Sequence, residues 1–123
     1  FASAVDRYQQ SGILNEKTIA TMIERPAKGH FGNDEKGKQD ATHYGCGWSV
    51  RPTNNGKTNR WHTGGLSGTS TILVLRHDGL CWSVLFNTNQ TADGKKPSSK
   101  IDPLVHKAAD AVTAWPSHDL FDD

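Results

Sequence analysis

The chain has 123 residues, 34% of them hydrophobic and 22% charged, with a formal net charge of +1. This suits a single domain over 1–123 with one core, and no apolar run approaches the roughly 20 residues that cross a bilayer, which excludes a membrane-spanning helix. Lys and Arg are scattered rather than gathered on one face, so there is no footprint for nucleic acid.

Residues 1–25 read as helical. In "FASAVDRYQQSG", Phe1, Ala4, Val5 and Tyr8 fall at helical spacing and Gly12 offers a left-handed terminator. Asn15 then caps a second helix with Glu16 in its first turn and Ile19, Met22 and Ile23 on one face, and Pro26 stops it. Residues 26–42 are rich in glycine and charge, lack periodicity and read as a surface loop. No basic segment precedes an apolar one at Phe1, so no targeting signal is read.

An antiparallel sheet is expected over 43–88. "HYGCGWSVRP" alternates Tyr44, Cys46, Trp48 and Val50 on one side of an extended chain, the period-two signature of a strand. Asn55-Gly56 suits a tight hairpin, returning residues 59–63 antiparallel to that strand. The β-branched run from Thr69 to Arg76, a turn at His77-Asp78-Gly79 and the run Leu80, Trp82, Val84, Phe86 continue a meander of about four strands. Both faces of the last two strands are largely apolar, which predicts cover on both sides. Ser99 is placed to cap a C-terminal helix over 99–115, with Pro103 in its first turn and Ile101, Leu104, Val105, Ala108, Val112 and Trp115 on its apolar stripe. The expected class is therefore α+β: two N-terminal helices and a C-terminal helix packed with an antiparallel sheet. Cys46 and Cys81 both lie in strand-like runs, where a small buried thiol is the ordinary outcome and one disulfide the alternative.

Chemistry concentrates in "RWHTGGLSGTSTILVL", residues 60–75. Gly64, Gly65 and Gly68 free the backbone for close approach or for positive φ, and they also suit a plain glycine-rich connection between strands. His62 can serve as an acid, a base or a neutral donor, and a lone histidine is also a common structural residue. Ser67 and Ser70 near His62 lack an acidic orienter for a serine–histidine pair. The histidines at 30, 43, 62, 77, 106 and 118 lack paired metal-ligand spacing, so neither metal nor other cofactor is expected.

Taken together, "YGCGW" at 44–48, "WHTGG" at 61–65, "LSGTSTILVL" at 66–75 and "WSVLFNT" at 82–88 resemble the carboxy-terminal part of the serine β-lactamase-like superfamily. The branch is that of class C β-lactamases, DD-peptidases and related esterases, and "FASAVDRYQQSGILNEKTIATMI" is similar to the helical stretch preceding this sheet. The resemblance implies that His62, Thr63 and Gly64 stand in for a Lys-Thr-Gly-like triplet: His62 and Thr63 face the cleft and orient substrate, and Gly64 leaves room for the acyl group. The N–H of Gly65 matches one of two oxyanion-hole donors. It also implies an extracytoplasmic parent protein.

The departures bear on activity. Acyl transfer in this superfamily uses a serine with lysine three residues later, and commonly a Tyr-x-Asn element. No serine here has that lysine, and Tyr8 and Tyr44 lead to Gln10 and Cys46. The expectation is a carboxy-terminal portion of such a hydrolase, inactive alone, with a small acyl substrate bound only by the intact parent; the alternative is a non-catalytic binding or assembly module on the same scaffold. In intact relatives amino-terminal strands flank the last strand, so residues 80–88 are expected to be an edge that pairs with that missing part or self-associates.

Overall fold

The computed structural model describes residues 12–27 and 41–118. These form an α+β arrangement: helix α1 (Glu16–Ile23), strands β1 (His43–Tyr44), β2 (Ser49–Pro52), β3 (Thr58–Leu66), β4 (Thr69–Leu75) and β5 (Cys81–Phe86), and helix α2 (Pro97–Asp110). The strands make one antiparallel sheet in the order β1-β2-β3-β4-β5. The helix expected over 1–12 and most of the 26–42 loop lie outside the described residues, although Gly12 does take a left-handed φ of 65°.

Among the described residues there are five strands rather than four, because "HYGCGWSVRP" reverses on itself. Gly47 has φ 80° and the Gly45 N–H donates to the Trp48 carbonyl at 2.8 Å, so His43 pairs with Val50 and Tyr44 with Ser49. The alternation that suggests one strand face is divided accordingly: Trp48 and Val50 are buried, Tyr44 and Cys46 exposed. A side chain at Gly45 would fall against the backbone carbonyl of Met22, so only glycine lets this hairpin sit against α1. The Cys46 N–H reaches that same carbonyl at 2.8 Å, and His43 Nε2 donates to the Ile23 carbonyl at 2.9 Å.

Partners across an antiparallel ladder share a face, so the register sorts the sheet. On one face lie Val50, Arg60, Leu75 and Leu73; Leu14, Met22 and Ile23 pack there against Trp48, Val50 and Leu75. Asn15 caps α1 as expected, accepting the Thr18 N–H at 2.8 Å. On the other face lie Trp61, Thr63, Ser70, Ile72, Val74, Trp82 and Val84, under α2. Ser70 Oγ donates to Ser98 Oγ at 2.9 Å with both residues 1% exposed, and the Trp82 and His106 rings meet edge-on at 4.8 Å.

That serine pair lies on the face that α2 turns to the sheet. The helix begins at Pro97 rather than Ser99, and it turns Ser98, Ile101, Asp102, Val105, His106 and Ala109 toward the sheet. Leu104, expected on the buried stripe, is 61% exposed, and Val112 and Trp115 lie exposed beyond the helix end at Asp110. Cover on both faces of the last two strands is also incomplete. Cys81, Ser83 and Leu85 are exposed along β5. Both cysteines are free and exposed, so neither the buried thiols nor the disulfide is formed.

The β4–β5 hairpin is clamped to α2 by Arg76, which bonds both Asp78 oxygens and, at 2.6 Å, Asp110 Oδ1. The Arg76 hydrogen bonds lower the Asp78 carboxyl from 3.8 to about 2, and those to Asp78 and Asp110 raise the guanidinium above its ordinary value. A carboxylate depressed by folding stabilises fully above its unfolded value of about 3.9 and loses that contribution as pH falls through its folded value. Urea midpoints of the wild type should therefore fall between about pH 4 and about pH 2 by more than those of Asp78→Asn. Parallel curves for the two proteins would show that the clamp does not contribute.

Candidate functional site

Strand β3 runs without a break through His62, Thr63, Gly64 and Gly65; the chain turns only at Ser67-Gly68, where Gly68 takes φ 79°. Gly64 and Gly65 are regular strand residues, and each has its own surroundings. A Cβ on Gly64 would come to 2.5 Å from Thr71 Oγ1 on the neighbouring strand, whereas one on Gly65 would meet only the Thr69 carbonyl, at 3.9 Å. A side chain at 64 would force the Thr71 hydroxyl to turn away, whereas Gly65 opens onto free space.

The hairpins fix which backbone groups of β3 are used. Thr53 N donates to Lys57 O, and Arg76 N to Leu80 O, each at 2.8 Å. Alternating along the ladders from these bonds, Asn59 and Trp61 bond toward β2, while Arg60, His62, Gly64 and Leu66 bond toward β4. Pairing with β2 ends at Trp61. Thr63 and Gly65 therefore direct their N–H and C=O groups to an open edge, with no backbone partner among the described residues.

The side chains of His62 and Thr63 diverge, because neighbours in a strand point to opposite faces. His62 is exposed on the α1 face, with Nε2 3.0 Å from the Tyr44 hydroxyl and the two rings 6.1 Å apart. Thr63, on the α2 face, helps line a cleft of about 220 Å³ with Trp61, Ile72, Asp102 and His106. What these two residues share is the open edge of β3. Ser70 is buried on the α2 face, bonded to Ser98, and is not a partner for His62.

Gly65 also lines, with Ser67, Ser70, Asn89, Gln90 and Lys96, a depression of about 450 Å³. The loop after β5 brings the last three there. It closes on itself through Thr91 N to Lys95 O and Gly94 N to Thr91 O, both 2.8 Å, with Gly94 at φ 77°. Lys100, 2.7 Å from Asp93, braces it and holds that carboxyl below its usual range.

Tyr44, Asn89, Gln90 and Lys96 are the residues that sequence reasoning missed. The only signal for Tyr44 was the Gly-x-Gly that follows it, which permits the reversal; the others sit in a polar loop without periodicity. Among the described residues no three His, Cys, Asp or Glu side chains converge as a metal site, and no helix is long and apolar enough to cross a membrane. The chain matches no protein-family model, and no curated protein or solved structure is significantly similar to it.

Proposed function

We propose that this chain is the carboxy-terminal part of a serine β-lactamase-like hydrolase and forms one wall of its acyl-transfer site. The observation that carries the reading is the Gly65 N–H, directed to the open edge of β3 in a residue that also lines a polar depression. In the intact hydrolase a serine outside this chain attacks the carbonyl carbon of a β-lactam, D-alanyl peptide or ester. The tetrahedral oxyanion is met by the Gly65 N–H, a preorganised donor of a kind worth about 3–4 kcal/mol in the transition state. His62 and Thr63 orient the substrate from either side of the strand edge, and the acyl group passes to water or an amine. The unpaired edge of β5, with Leu85 75% exposed, takes the amino-terminal strands of the same domain, or a second copy in their absence.

Hydrolysis of nitrocefin and of a p-nitrophenyl ester tests this. The chain alone should turn over neither, since a serine without a positioned base is a weak nucleophile. The protein extended upstream in its reading frame should carry a Ser-x-x-Lys, hydrolyse at least one of the two, and lose that activity on His62→Ala. Turnover by the chain alone, or a reading frame with no such serine, would overturn the proposal, and the second result would favour a binding module.

A further inference from the structure

We infer that Tyr44 is a positioning residue: it holds neutral His62 in the Nδ1–H tautomer, so that the ring offers the substrate a hydrogen-bond donor rather than a base. Its action on substrate rests on the hydrolase reading; the tautomer itself does not. The Tyr44 hydroxyl lies 3.0 Å from His62 Nε2, and among the described residues the ring has no other partner. A hydroxyl can donate or accept, and so can either ring nitrogen, which leaves two arrangements. A phenol is a stronger acid than a neutral imidazole N–H, and an imidazole nitrogen is a stronger base than a phenol oxygen. The favoured bond is therefore Tyr O–H to Nε2, which leaves the proton on Nδ1.

The phenol is held in place by its neighbours rather than by its own packing. Tyr44 is 39% exposed, but the residues around it are tied to the end of α1, His43 through the Ile23 carbonyl and Cys46 through the Met22 carbonyl. The Gly45 N–H to Trp48 carbonyl bond closes the hairpin beside it. These bonds fix the backbone from which the phenol projects, so that its two side-chain torsions are what remains to be ordered when the hydroxyl meets the imidazole. A histidine whose Nε2 is occupied in this way cannot use that nitrogen to take a proton from a nucleophile. Nδ1–H remains as its free polar atom, suited to a carbonyl or carboxylate oxygen of a bound acyl donor.

The test is ring ¹⁵N NMR of the histidine-labelled chain at a pH where His62 is neutral, its signals assigned by their loss in His62→Gln. The expected result is a protonated Nδ1 and an unprotonated Nε2 in the wild type. Tyr44→Phe, with its amide fingerprint otherwise intact, should revert to the Nε2–H form that free histidine prefers in water. An Nε2–H ring in the wild type, or an unchanged ring in Tyr44→Phe, would overturn the inference whatever the activity of the parent. In the active parent, His62→Asn retains an N–H near the Nδ1 position and should keep activity that His62→Ala loses. Equal loss in both would overturn the donor role and leave the hydrolase reading standing.

Discussion

On the proposed hydrolase reading, replacing Gly65 with proline in the parent protein is expected to lower kcat by about 10²–10³ while leaving the sheet folded. Proline has no N–H, so the substitution removes the donor assigned to the oxyanion. The sheet does not depend on that group, since Gly65 bonds toward neither β4 nor any other described strand. Space is also free, because a Cβ at Gly65 meets only the Thr69 carbonyl at 3.9 Å, and an extended Gly64 is the backbone that proline prefers before it. Two measurements separate the components: initial rates at saturating substrate report the donor, and thermal unfolding followed by circular dichroism reports the edge. Unchanged kcat would remove Gly65 from the proposed mechanism. A collapsed sheet would mean that β3 needs either this N–H or a φ that proline cannot adopt.

Truncating Leu75 to alanine should cost about 2–5 kcal/mol of stability, the range for deleting a fully buried leucine side chain. Leu75 and Val50 are each 0% exposed, and Trp48 completes their cluster beneath Leu14, Met22 and Ile23. The cavity would open between the sheet and α1, where the hairpin that carries Tyr44 is anchored. Described buried hydrophobics are few, namely Trp48, Val50, Ile72, Val74 and Leu75, so neighbouring residues have little means of refilling the space. Equilibrium urea unfolding gives the difference. A loss below about 1 kcal/mol would place the main packing of α1 elsewhere.

Much of the local structure was legible from residue type. Asn15, the turns at Asn55-Gly56 and His77-Asp78-Gly79, and the alternating runs of β4 and β5 are local signals, set by backbone sterics and short-range bonds. Period-two alternation at Tyr44, Cys46, Trp48 and Val50 was ambiguous, because a chain that reverses at Gly45–Gly47 keeps the same pattern on two short strands. For α2, several rotations bury some apolar residues; in the one adopted Ser98 meets Ser70, 28 residues earlier, a contact that local pattern does not show.

The sequence alone determined the α+β class, the turns at Asn55-Gly56 and His77-Asp78-Gly79, and the concentration of His62, Thr63, Gly64 and Gly65 in one short stretch. Each of these follows from local backbone preference or side-chain chemistry. Only the tertiary structure decided that His62 and Thr63 lie on opposite faces, that Gly64 lies opposite Thr71, that Gly65 faces an open edge, and that Tyr44 reaches His62. Those facts depend on the pairing of distant segments, where the register fixes the face and the end of the β2–β3 ladder at Trp61 frees the edge.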